Sequence, residues 1–134
     1  MENIHPGLEG ESSQIVTVEL TAASHDKDLV AAYGTPALVG LMETAAHYAV
    51  QPHLPKGQTS VGIEIQVKHL AATPVGGNVR ARAVITAVEG STIQLALEAW
   101  DDVEKIGEGT HTRFVVDQER FYKRFEQKRA KMNL

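Results

Sequence analysis

Alternation of apolar and polar positions divides the chain into five strands around one strongly helical segment. Over Gln14–Leu20, Val16 and Val18 share one face and Thr17 and Glu19 the other, which predicts a first strand. The preceding residues 1–13, with Pro6, Gly7, Gly10 and two serines, read as an irregular arm, and Ala22–Gly34 reads as a loop or short helix. The period then changes to that of a helix. Leu38, Leu41, Met42, Ala45, Ala46 and Ala49 line one broad face of Thr35–Val50. Thr35 is placed to cap this helix, Pro36 suits its first position, and Pro52 and Pro55 end it.

Period-2 alternation resumes over Thr59–His69, with Val61, Ile63, Ile65, Val67 and His69 predicted on one face and Gly62, Glu64, Gln66 and Lys68 on the other. Ala71–Asn78 carries Thr73-Pro74 and Gly76-Gly77 and is a connection. Val79–Val88 and Thr92–Trp100 flank Glu89-Gly90-Ser91 as a hairpin, and Ile106–Val116 makes the last strand. Asp117 is placed to cap a C-terminal helix over 117–134, with Gln118 and Glu119 in its first turn and Lys128, Arg129 and Lys131 near its end. One long helix against a mostly antiparallel sheet predicts an α+β layer architecture in a single domain, 1–134.

Composition narrows the chemistry. The chain has 134 residues, 43% hydrophobic and 22% charged, within the range of a packed domain. A formal net charge of -4 argues against duplex nucleic acid, whose phosphates call for a basic surface. The absence of cysteine excludes disulfides, thiolate metal sites and a cysteine nucleophile. Neither a signal-peptide pattern nor an apolar run of membrane-spanning length is expected, so the default location is cytoplasmic, with no membrane partner. His47, four residues after Glu43, shares its helix face, but no third ligand has suitable spacing; neither metal nor cofactor is expected.

Three stretches carry a more specific signal: YGTPALVGLMETAAHYAVQPHLPKG, TSVGIEIQVKHLAATPVGGNV and AVEGSTIQLALEAWDDVEKIGEGTHTRFVV. Together they resemble the fluoroacetyl-CoA thioesterase-like group of hotdog-fold enzymes over roughly Val30–Val116. The resemblance implies a hotdog fold, an antiparallel sheet wrapped around one central helix, and a homodimer that hydrolyses a short acyl-CoA thioester. It implies Thr35, Glu43 and His69 as catalytic residues, with Gly62 near the acyl group and Arg113 in the pocket. It also implies an acyl pocket at the dimer interface, so that Thr35 and His69 could belong to different subunits. Members selective for fluoroacetyl groups carry phenylalanines in a lid before the main helix. Here that segment reads HDKDLVAAYGT, with Tyr33 its only aromatic residue.

The residues themselves permit this chemistry and permit blander roles. His69, continuing an apolar strand face, suits a general base or a hydrogen-bonded structural histidine. Glu43 is either a partnered carboxylate inside the helix packing or a helix-surface residue. Thr35 sits where helix N–H groups favour an oxyanion, yet its hydroxyl is also a capping group. Arg80, Arg82 and Lys68 face solvent or coenzyme A phosphates. Two other functions fit the same fold: a non-catalytic acyl-CoA or small-acid binding protein, and an enoyl-CoA lyase, whose Asp/His hydratase motif is not found.

Overall fold

The computed structural model describes residues 3–134. Its order is β1 (Glu9–Ile15), α1 (Thr35–Val50), β2 (Gln58–His69), β3 (Asn78–Glu89), β4 (Thr92–Trp100), β5 (Lys105–Asp117) and α2 (Gln118–Lys131), with short 3-10 turns at Val18–Leu20, Ala22–Ser24 and Gln51–His53. The five strands form one antiparallel sheet in the order β1-β3-β4-β5-β2. The sheet curls around α1, giving the expected α+β hotdog architecture.

The helix forms where the 3.6-residue period placed it, and all six apolar positions of its face are buried, joined by Val50. They meet Val79, Ala81, Ala83 and Ile85 of β3 and Ile93, Leu95, Leu97 and Ala99 of β4, alternate residues of the hairpin. Each large aliphatic side chain buried this way contributes about 1.5–3 kcal/mol. Between these two strands Gly90 turns the chain at φ 59°, a conformation available to glycine without a Cβ penalty.

The first strand departs from expectation. It spans Glu9–Ile15, starting inside the segment read as an irregular arm and ending two residues into the predicted strand, and Val18–Leu20 is a 3-10 turn instead of strand. Met1 and Glu2 of that arm lie outside the described residues. The reason is that β1 turns small and polar residues inward. A Cβ on Gly10 would lie 2.3 Å from the Ala49 nitrogen and 2.4 Å from the Ala45 oxygen, so β1 runs almost directly against the α1 backbone. Ser12 donates to the Leu41 carbonyl at 2.7 Å. Apolar alternation has nothing to register in a strand whose inward face is Gly10, Ser12 and Gln14.

The alternation of β2 is also interrupted. The β2–β5 register shifts between Gly62 and Glu64, a β-bulge. Ser60 and Gly62 therefore share the inner face with Ile65, Val67 and His69, while Ile63 is turned out and 59% exposed. β2 pairs with β5 along one side only and forms an edge of the sheet.

Candidate active site

The first turn of α1 and the end of β2 meet at one place. Thr35 Oγ1 lies 2.9 Å from His69 Nδ1. Thr35 is the first residue of the helix, Gly34 takes the cap position, and no side-chain capping bond forms. The expected competition between capping and catalysis for one hydroxyl is thus resolved: the hydroxyl faces the imidazole. Both residues belong to one chain, which corrects the possibility that the two-subunit arrangement separates them.

Several contacts hold the histidine. The Tyr33 ring stands edge-on to it, with centroids 6.4 Å apart. Tyr33 is itself fixed: its hydroxyl accepts from Gln14 Nε2 at 2.5 Å and donates to the Ala37 carbonyl at 3.2 Å, and its N–H donates to Thr73 at 2.9 Å. Burial holds His69 below the ordinary imidazole pKa, partly opposed by the Ala71 backbone. Its Nε2 is buried without a hydrogen-bond partner among the described residues. Around the pair lies a cleft of about 440 Å³ lined by Val30, Tyr33, Thr35, His69, Leu70 and Ala71.

Glu43 is elsewhere. Eight residues along α1 put it about 12 Å from Thr35 in the axial direction, at 1.5 Å per residue. It is half-buried beside Gly62: a Cβ there would sit 3.0 Å from Glu43 Oε2 and 3.0 Å from His111 Cε1. Arg113, from β5, joins this second group. Its Nε donates to Ser60 Oγ at 2.8 Å, Nη2 to the Ser60 carbonyl at 2.9 Å, and Nη1 to His111 Nε2 at 3.2 Å. The five expected residues therefore divide within one chain into Thr35 with His69, and Glu43 with Gly62 and Arg113.

His111 was not anticipated, although it precedes Arg113 by two residues and so shares its strand face. It is only 2% exposed. Nδ1 lies 2.8 Å from the Glu64 carbonyl, which can only accept, and Nε2 faces a guanidinium, which can only donate. The neutral Nδ1–H tautomer satisfies both. Burial lowers its pKa, Arg113 adds to this, and the Glu64 carbonyl and Glu43 oppose it.

A neutral buried histidine supplies stability above its unfolded pKa of about 6.5 that is lost as pH falls toward the lower folded value. The denaturation midpoint in urea is therefore expected to fall between pH 7.5 and 5.5, and to fall less in His111→Gln. Equal losses would contradict the assignment.

Other charged residues are engaged away from these clusters. Arg82 pairs with Glu9, Arg80 lies 3.9 Å from Asp102 and over the Trp100 ring, and Lys105 contacts Glu98 and Glu108. A shallow depression of about 590 Å³ on the outer sheet face, lined by Lys68, Glu98, Lys105 and Glu108, holds Lys105 paired with Glu98 and Glu108 and no nucleophile–base pair among the described residues.

The family model described as fluoroacetyl-CoA-specific thioesterase matches residues 16–119. The chain belongs to this family. A fluoroacetyl-CoA thioesterase from Streptantibioticus cattleyicolor is 42% identical over 96 residues, 72% of this chain and 69% of that protein. A solved fluoroacetyl-CoA thioesterase structure superposes with a TM-score of 0.86 at 33% identity, covering 93% of this chain and 97% of the other. A Thermus thermophilus member of the thioesterase superfamily gives a TM-score of 0.92 at 25% identity, covering 99% and 98%. A hot-dog-like protein from Thermanaerovibrio acidaminovorans gives 0.86 at 26%, covering 95% and 94%.

Against this family background, the phenylalanine-free segment before α1 keeps its significance. Leu29 and Val30 are its exposed large apolar residues, and among the described residues no phenylalanine lines the Thr35–His69 cleft. No helix among the described residues is long and apolar enough to cross a membrane.

Proposed function

We propose that the chain is an acyl-CoA thioesterase that hydrolyses a short acyl-CoA to the free acid and CoA, as a cytoplasmic homodimer. The observation that carries the reading is the 2.9 Å contact between Thr35 Oγ1 and His69 Nδ1, a nucleophile within reach of a base. For Nδ1 to take the hydroxyl proton, the ring must be the Nε2–H tautomer, and Nε2 is the buried atom without a partner. Glu43 is the carboxylate that suits it.

The long open side of β2 supports a route by which a second chain supplies that carboxylate. An unpaired edge of twelve residues is a template for another strand. Antiparallel pairing of β2 with its own copy obeys two-fold symmetry and continues the sheet. It sets the His69 end of one strand beside the Gly62 region of the other. Thr35 and His69 then face the partner subunit's Glu43, Gly62 and Arg113, uniting the two clusters that a single chain keeps apart.

In this arrangement His69 draws the proton from Thr35, whose oxygen attacks the thioester carbonyl. The first-turn N–H groups of α1 stabilise the oxyanion. The CoA thiolate leaves and takes a proton, and water activated by His69 releases the acid. Glu43 orients the imidazole and restores basicity that burial removes. The lack of phenylalanine in the segment before α1 favours a short acyl group without selectivity for fluoroacetyl.

A free-thiol assay across acyl-CoAs of graded chain length tests this. Turnover is expected on acetyl- and propionyl-CoA, decreasing as the chain lengthens. Saturable acyl-CoA binding without thiol release at any length would instead establish a binding protein.

A further inference from the structure

We propose that the basic face of α2 is the binding site for the phosphates of coenzyme A, and that it serves the active site of the partner subunit. This rests on the dimeric reading above, because within one chain α2 and the Thr35–His69 pair stand at opposite ends of β2.

Charge is strongly segregated in this molecule. Residues 118–134 hold six basic and two acidic side chains, leaving seven basic and fifteen acidic in the rest of the chain. Three of those seven basic residues are in ion pairs and Arg113 is buried. By contrast, none of the six on α2 has a salt bridge among the described residues. Arg120, Lys123 and Arg124, at spacings of three and four, fall on one side of the helix near its start. The aromatic residues Phe121, Tyr122 and Phe125 fall on another side, and Glu119 and Glu126 flank Lys123 at spacings of four and three without an ion pair to it among the described residues. A multiply anionic ligand approaching an acidic protein thus finds its uncompensated positive charge concentrated on this helix.

The position of α2 is fixed at its base. Gln58 pairs with Asp117 in the sheet, Gln118 N donates to the Gly57 carbonyl at 2.9 Å, and Asp117 caps the helix by accepting from Arg120 N at 3.0 Å. Lys56, exposed just before this junction, extends the basic group. From Gln58 to His69 the strand runs about 36 Å, so the helix is remote from its own chain's Thr35–His69 pair. Antiparallel β2 pairing in the register that sets His69 beside the partner's Gly62 reverses this relation and leaves the start of the partner's α2, at the partner's Gln58, about 13 Å further along that strand. The thioester at Thr35 and the phosphates at α2 then lie at two ends of an extended ligand, with the pantetheine arm between them. Because the contacts are made by exposed cations, the interaction is salt-dependent.

The test is calorimetric binding of free coenzyme A and of pantetheine, which lacks the phosphates, to wild type and to the triple variant Arg120→Gln, Lys123→Gln and Arg124→Gln. All three side chains are exposed, so the thermal midpoint serves as a check that the fold is kept. The expected result is about tenfold weaker CoA binding in the variant at low salt, with a flatter salt dependence and unchanged pantetheine binding. Equal CoA affinity in the two proteins, or an equal loss for pantetheine, overturns the proposal.

The crossing between subunits is read from mixed dimers of a His69→Ala chain and a triple-variant chain. Their one intact His69 faces a native α2 only if the helix acts across the interface, so a wild-type KM supports the crossing and a raised KM overturns it. A wild type that binds CoA through α2 yet releases no thiol would refute the hydrolytic reading and leave this inference standing.

Discussion

Replacing His69 by alanine is expected to lower kcat on acetyl-CoA by about a thousandfold, within the range attributed to a positioned general base. The expectation rests on the hydrogen-bond geometry: Nδ1 meets the Thr35 hydroxyl at 2.9 Å, and among the described residues no other imidazole lines that cleft. Thr35→Ala should fall by a comparable factor, and Thr35→Ser, which keeps the oxygen, should retain much more activity. The fold should be kept in all three, because Thr35 is exposed at the start of α1 and His69 is only half-buried at the end of β2. Steady-state thiol release alongside thermal denaturation checks this. Full activity in both alanine variants would remove the nucleophile–base pair from the mechanism.

Gly10→Ala is expected to be strongly disruptive to the fold, costing about 3 kcal/mol, the upper part of the usual range for overpacking. The added methyl would meet backbone atoms of Ala45, Tyr48 and Ala49 at 2.3–2.7 Å, and a helix backbone cannot swing aside as a side-chain tip can. Gly40→Ala, on the exposed face of the same helix with open space around it, should be neutral or slightly stabilising, since alanine is the better helix former. Urea denaturation of the two variants separates them. A Gly10→Ala protein as stable as wild type would mean that β1 does not lie against α1 as described.

The contrast between these glycines explains what sequence reading reached. Elements whose inward face is apolar were legible: α1 through Leu38, Leu41 and Met42, and the β3–β4 hairpin through alternate aliphatic residues on both strands. Strand β1 was displaced because Gly10, Ser12 and Gln14 do its inward work through close approach and hydrogen bonds, which leave no hydrophobic period. On β2, alternation placed His69 inward, but the bulge after Gly62 reversed the parity of its first half and hid the association of Ser60 and Gly62 with Arg113.

The candidate site divides along the same line. Thr35 and His69 are 34 residues apart, and only the folded chain shows their contact. The family resemblance supplied the five residues, and the structure separates them into two groups. Tyr33 and His111 were missed as supporting residues. Each works by orienting a neighbour, Tyr33 beside His69 and His111 beneath Arg113, and such work has no motif of its own. His111 was nonetheless within reach of the β5 alternation that includes Arg113.

The central claim is a thioesterase site completed across a two-fold axis, with Thr35 and His69 from one chain and the partner subunit's Glu43. Its most direct test is complementation between two variants. His69→Ala and Glu43→Ala homodimers should each be nearly inactive on acetyl-CoA, because both of their sites lack one essential group. After equal amounts are unfolded and refolded together, half of the dimers should be mixed, each with one intact site, so activity should return to about a quarter of wild type. Mixed dimers verified by native mass spectrometry that show no recovery would contradict the account.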